Sequence, residues 1–151
     1  MTQNAIIPLL KQFREKTLSA NDLHEKLESI VQFCERKQKK LGQVRILATD
    51  LESWQTYLKP ALELSYKGLV AAAKMGQEYA KNPSQEIAEA IVYAFVQVDK
   101  SIAFVEKHSS NVSSETQSIL QEEISQLPQD ASNIPTIQQG HAQVVASIFN
   151  D

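Results

Sequence analysis

Residues 60 to 107 constrain this chain most. Ala61, Ser65, Gly68, Ala72 and Gly76 recur at spacings of 4, 3, 4 and 4. At helical spacing they form a strip of small side chains along which another backbone can approach closely. A glycine inside a helix costs about 1 kcal/mol relative to alanine, so two of them imply a close contact or a bend in return. Beyond NPSQ at 82 to 85, Ile87, Ile91, Ala94, Val98, Ile102 and Val105 trace a second helical face, with Val92, Tyr93, Phe95 and Val96 filling neighbouring positions. Asn82 as cap, Pro83 at the first helical position and Gln85 closing a capping box predict that helices over 60–81 and 83–107 double back on each other. A helix apolar nearly all round must be surrounded, which places this hairpin at the centre of a bundle or in a subunit interface.

The remaining segments carry helical signals of their own. Ile6, Leu10 and Phe13 share a face, and Pro8 fits a first turn. Ser19 with Asp22 starts a second helix through Leu23, Leu27, Ile30, Cys34 and Leu41, which Gly42 is placed to end in a left-handed conformation. TDLE at 49 to 52 is a capping box built on Thr49 and Glu52, and Pro60 predicts a kink or break soon after it. VRILA at 44 to 48 has strand propensity but no partner strand, and reads as linker or helix. HSSNVSS at 108 to 114 is a loop, Ser114 with Gln117 opens a weaker helix to Pro128, and Ile134, Ile137, His141, Val144 and Ile148 predict a last helix over 135–149. The expected fold is therefore an all-α, antiparallel bundle of five to six helices with a long central hairpin.

A chain of 151 residues with 42% hydrophobic content is expected to form one domain, residues 1–151, with a core of its own. The four Gly and five Pro are too few for a turn-rich β fold. One cysteine makes no internal disulfide, the start MTQNAIIPLL lacks the pattern of a secretory signal, and the longest apolar run is the seven-residue AIVYAFV. These features predict a cytoplasmic protein without a membrane span. Charge is uneven: residues 1–107 hold all fifteen Lys and Arg against thirteen acids, whereas residues 108–151 hold five acids and no Lys or Arg. Residues 108–151 are accordingly expected to be a more polar, acidic helical segment docked on the bundle.

No motif for common catalysis emerges. HEKLE at 24 to 28 begins like HExxH but ends in Glu28, so the second imidazole of a zinc site is missing. No Glu-x-x-His occurs, which removes the di-iron bundle pattern. His141 reads as a partly buried core imidazole, His108 stands among loop serines, and Cys34 occupies a core position where a thiol behaves as a small hydrophobe. Walker, G-x-S-x-G and dinucleotide-binding glycine patterns are absent from the sequence. A non-catalytic protein without cofactor or metal follows as the expectation.

ERKQKKLGQVR at 35 to 45 concentrates Arg36, Lys37, Lys39, Lys40 and Arg45 at a helix end, where cations complement the helix dipole. A sequence pI of about 5.6 argues against nucleic acid, which normally meets a wider basic surface. The expected function is a helical protein–protein interaction or adaptor protein acting through apolar helix faces and this basic end. A regulatory nucleic-acid-binding protein using residues 36–45 is the alternative. Trp54, Tyr57 and Tyr66, clustered around Pro60, join the basic residues as predicted partner-binding positions, since aromatics are enriched in interface cores. A twofold homodimer through an unfilled apolar face is the associated expectation, and the basic stretch is expected to dock an acidic surface, the C-terminal segment being one.

Overall fold

The computed structural model describes residues 6–127. The helix expected over 135–149, with His141, Ile137, Val144 and Ile148, lies outside them. Every regular element among the described residues is helical, and five α-helices have nine or more residues. These are α1 (Ile6–Arg14), α2 (Ala20–Lys40), α4 (Lys59–Lys81), α5 (Gln85–His108) and α6 (Ser114–Ser125), while α3 (Leu51–Ser53) is a single short turn. Helix α4 packs against both α2 and α5, and α1 touches α2 and α4. Leu23, Leu27, Ile30 and Cys34 of α2 are buried with Leu62, Tyr66, Leu69 and Ala73 of α4 and with Ile91, Phe95, Val98 and Val105 of α5. The α2 residues and Ile91, Val98 and Val105 of α5 are ones whose 3 and 4 spacing marks the helix faces, whereas on α4 the buried face adds Leu62, Tyr66, Leu69 and Ala73 to the predicted strip of small residues.

The helix ends depart from expectation in instructive ways. Ser19 caps α2 as expected, its Oγ accepting the Asp22 amide at 3.1 Å. Gly42, however, is not left-handed, and α2 passes instead into a 3₁₀ turn over Leu41–Gln43. The left-handed position belongs to Lys16 at φ 66°, where the Thr17 amide bonds the Gln12 carbonyl and the Lys16 amide bonds Phe13. That pair of bonds is a Schellman closure of α1, with lysine standing where glycine is usual. At the 82–85 turn, Ser84 is the N-cap of α5 and Asn82 closes α4. The capping hydroxyl thus lies two residues beyond the predicted Asn82: Ser84 Oγ accepts the Ile87 amide at 3.1 Å, and Pro83 stands outside the helix and not at its first position.

Pro60 neither breaks nor ends its helix. The segment Trp54–Leu58 adopts a π turn, in which the Lys59 amide reaches back five residues to the Trp54 carbonyl. Proline has no amide for the Thr56 carbonyl, and the widened turn absorbs the extra residue while keeping its neighbour bonded. Val44 to Leu47 have no regular structure, and a 3₁₀ turn begins at Ala48. Thr49 forms no capping bond. Its neighbour Asp50 turns inward, 5% exposed, and binds the start of α6.

The Asp50 carboxylate accepts the Ser113 hydroxyl at 2.5 Å, the Thr116 hydroxyl at 2.6 Å and the Ser113 amide at 3.2 Å. The Ser113 and Thr116 hydroxyls, helped by the Ser113 amide, hold its carboxyl below the ordinary range and outweigh the opposing effect of burial. Stability from this clasp is complete above an unfolded aspartate's pKa of about 3.9. It is lost as pH falls through the lower folded value. Asp50→Asn is therefore expected to be less stable than the parent near neutral pH, with the gap narrowing as acid protonates the parent. Urea unfolding over a pH series checks this; a gap that is constant from neutral to acid pH would disprove the linkage.

Candidate functional site

Burial divides the exposed apolar surface unevenly. Six large hydrophobic side chains are exposed among the described residues: Leu47, Leu51, Tyr57, Leu64, Tyr93 and Phe104. Tyr57, Leu64 and Phe104 line one groove of about 630 Å³ between the π turn and α4 on one side and α5 on the other. Pro60, Ala61 and Gly68 also line it, as do Lys67 and Lys100, and no acidic side chain is in the lining.

Local structure explains why the groove is there. The π turn sends Trp54 and Leu58 into the core, at 3% and 0% exposure, while Tyr57 is left outside at 44%. The Tyr57 ring stacks on His108 at 5.0 Å with the planes 6° apart, and Phe104 lies 4.3 Å from the same imidazole. Tyr57 and Phe104 of this aromatic group belong to the lining of the groove. Further along, Gly68 lies in the lining where the helices are closest: a Cβ there would meet Val98 Cγ2 at 2.5 Å, so the absence of a side chain lets α4 and α5 approach.

The predicted partner-binding residues separate into two groups. Arg36, Lys39, Lys40 and Arg45 are exposed. Lys37 instead pairs with Glu123 of α6, Nζ to Oε2 at 3.4 Å, a contact between the basic stretch and the acidic C-terminal third. Tyr66 is fully buried and donates its hydroxyl to Glu123 Oε1 at 3.0 Å. Burial, and then the charge of Glu123, raise its phenol well above the ordinary range. Trp54 and Tyr66 therefore belong to the core of the chain: aromatic clustering around Pro60 signalled burial for two residues and exposure for Tyr57 alone. Leu64, Lys67, Lys100 and Phe104 were not among the predicted positions; exposed apolar residues at helical spacing on 60–81 and 83–107 were the available signal.

His24, Glu28 and Cys34 all belong to α2. The His24 carbonyl and the Glu28 carboxylate both accept the Gln77 side-chain amide, each at 3.1 Å, which joins α2 to α4. Cys34 is fully buried, and burial with the nearby Glu35 charge pushes its thiol up to about 12, leaving little thiolate near neutral pH. Among the described residues no group of three or more His, Cys, Asp or Glu side chains is arranged to hold a metal ion. No described helix is long and apolar enough to cross a membrane.

No family model, curated protein or solved structure matches this chain.

Proposed function

We propose that this chain is a non-catalytic helical interaction module, cytoplasmic, whose principal contact surface is the groove between α4 and α5. The convergence of Tyr57, Leu64 and Phe104, half of the exposed large hydrophobics among the described residues, carries the reading. A contiguous apolar cleft with a polar margin is the usual form of a protein contact, whereas isolated exposed hydrophobics need no explanation. The frame is an antiparallel bundle of five to six helices around the α4–α5 hairpin, supported by the pairing of Tyr57 with His108 and of Gly68 with Val98. Arg36, Lys39, Lys40 and Arg45 supply a second, basic region that attracts acidic partners at long range. Nucleic acid is the weaker use of that region, because Lys37 is turned to Glu123 and the chain is acidic overall.

Leu64→Asp places a carboxylate in the groove at a side chain 58% exposed, so the core is untouched. Capture of a specific partner from native lysate is expected to fall by about tenfold or more, equivalent to about 1.4 kcal/mol. The combined Arg36→Gln and Lys40→Gln variant should lose far less. Loss confined to the basic variant would move the contact to the helix end, and a gel shift with mixed DNA and RNA that vanished in the same variant would establish the nucleic-acid alternative.

A further inference from the structure

We infer that the groove takes an amphipathic helix bearing acidic side chains on both flanks of its apolar face. This rests on the groove being the contact surface and adds the chemistry of the occupant. The lining runs along the helix from Tyr57 to Gly68, a length of roughly 16 Å at 1.5 Å per residue. That is about three helical turns, the span over which anchors at i, i+3 or i+4, and i+7 fit a cleft between two helices. Leu64 stands in the middle of the lining, and Tyr57 and Phe104 at one end.

Charge selects among the occupants such a cleft admits. Lys67 projects from α4 and Lys100 from α5, so one cation stands on each side of the apolar strip, and no lining residue is acidic. No neighbouring acid among the described residues lines the groove: Glu63 lines the depression shared with Lys39 and Lys59, Glu106 the one beside α6, and Asp99, next to Lys100 in sequence, is outside the lining. A helix with Glu or Asp flanking its apolar stripe meets both cations, as the charged flanking positions of a coiled coil meet their partners. A second copy of the chain docking groove to groove would set Lys67 and Lys100 against the same two lysines, which opposes an isologous dimer there. A fatty anion carries one carboxylate and satisfies one side only.

The test is a titration of the full-length chain, labelled for amide NMR, with a synthetic helix of about fifteen residues. The peptide carries Leu at i, i+4, i+7 and i+11 with Glu on both flanks, and a companion has every Glu replaced by Gln. Saturable shifts are expected at the amides of Leu64, Lys67, Gly68, Lys100 and Ser101. The Gln peptide is expected to bind roughly three- to thirtyfold more weakly at low salt. Combining Lys67→Gln with Lys100→Gln should abolish that preference without unfolding the protein, since both lysines are exposed. Equal binding of the two peptides, or no groove shifts at all, overturns the inference. It is equally overturned if these amides respond instead to dodecanoate, to a peptide copying residues 128–151, or to protein concentration alone. If the peptide fails while Leu64→Asp still abolishes partner capture, the occupant is wrong and the module stands; if both fail, both fall.

Discussion

Glu123→Ala is expected to lower the unfolding free energy by about 2–4 kcal/mol. Glu123 is 9% exposed, and its carboxylate joins three elements, accepting the Tyr66 hydroxyl of α4 at 3.0 Å and the Lys37 ammonium of α2 at 3.4 Å. Truncation leaves the fully buried phenol without its acceptor and the Lys37 charge, its side chain 15% exposed, without its anion. Desolvation has already been spent on both groups, and nothing nearby repays it. The apolar replacement Lys37→Met, Tyr66→Phe and Glu123→Leu made together is expected to lie within about 1 kcal/mol of the parent, because no orphaned polar atom remains. Urea unfolding of the two variants provides the comparison. If Glu123→Ala costs less than about 0.5 kcal/mol, α6 is not held through this carboxylate.

Gly68→Leu is expected to cost about 1–3 kcal/mol, and Ala72→Leu a similar amount, by overpacking the contact between α4 and its neighbours. At Gly68 even the Cβ of alanine would come within 2.5 Å of Val98 Cγ2. Val98 is fully buried and β-branched, with one strongly preferred rotamer in a helix, so it cannot swing aside and the helices must separate. Gly76 differs. Its added Cβ would meet the end of Leu27 at 2.9 Å, an atom on a longer side chain that yields more readily, so Gly76→Ala is the milder change. The mechanism is checked by combining Gly68→Ala with Val98→Ala in thermal and urea melts. The double variant should recover part of the loss, a coupling expected only for residues in contact. Purely additive losses would remove Val98 as the reason for glycine at position 68.

Local signals agree with the structure where one stretch of chain decides the outcome, and depart from it where two stretches do. Ser19 before a clear apolar period was enough to place the start of α2. Ser84 and Ser113, in contrast, cap α5 and α6 where Asn82 and Ser114 had been expected. Adjacent polar residues offer nearly equal caps, and at Ser113 the amide and hydroxyl are bonded by the distant Asp50 carboxylate. Thr49 had every local feature of a capping box, yet no capping bond forms, while Asp50 beside it bonds residues 63 and 66 positions away. Pro60 predicted an interruption, and the i to i−5 bonding of the π turn provided another solution that sequence pattern does not announce.

The sequence by itself determined that the described residues fold into helices, because apolar residues at spacings of 3 and 4 bury one face only when the backbone turns every 3.6 residues. It also determined where close approach was possible, through Gly68, Ala72 and Gly76, and that Cys34 would sit inside. Tertiary structure alone decided which charges are used and which remain free. Lys37 is consumed by Glu123, 86 positions away, while Lys39 and Lys40 stay exposed. It alone separated Tyr57 from Trp54 and Tyr66, and so made a groove. The physical reason is that helix periodicity is a property of neighbours along the chain, whereas the partner of a buried carboxylate or the outer wall of a cleft exists only once distant segments share the same volume.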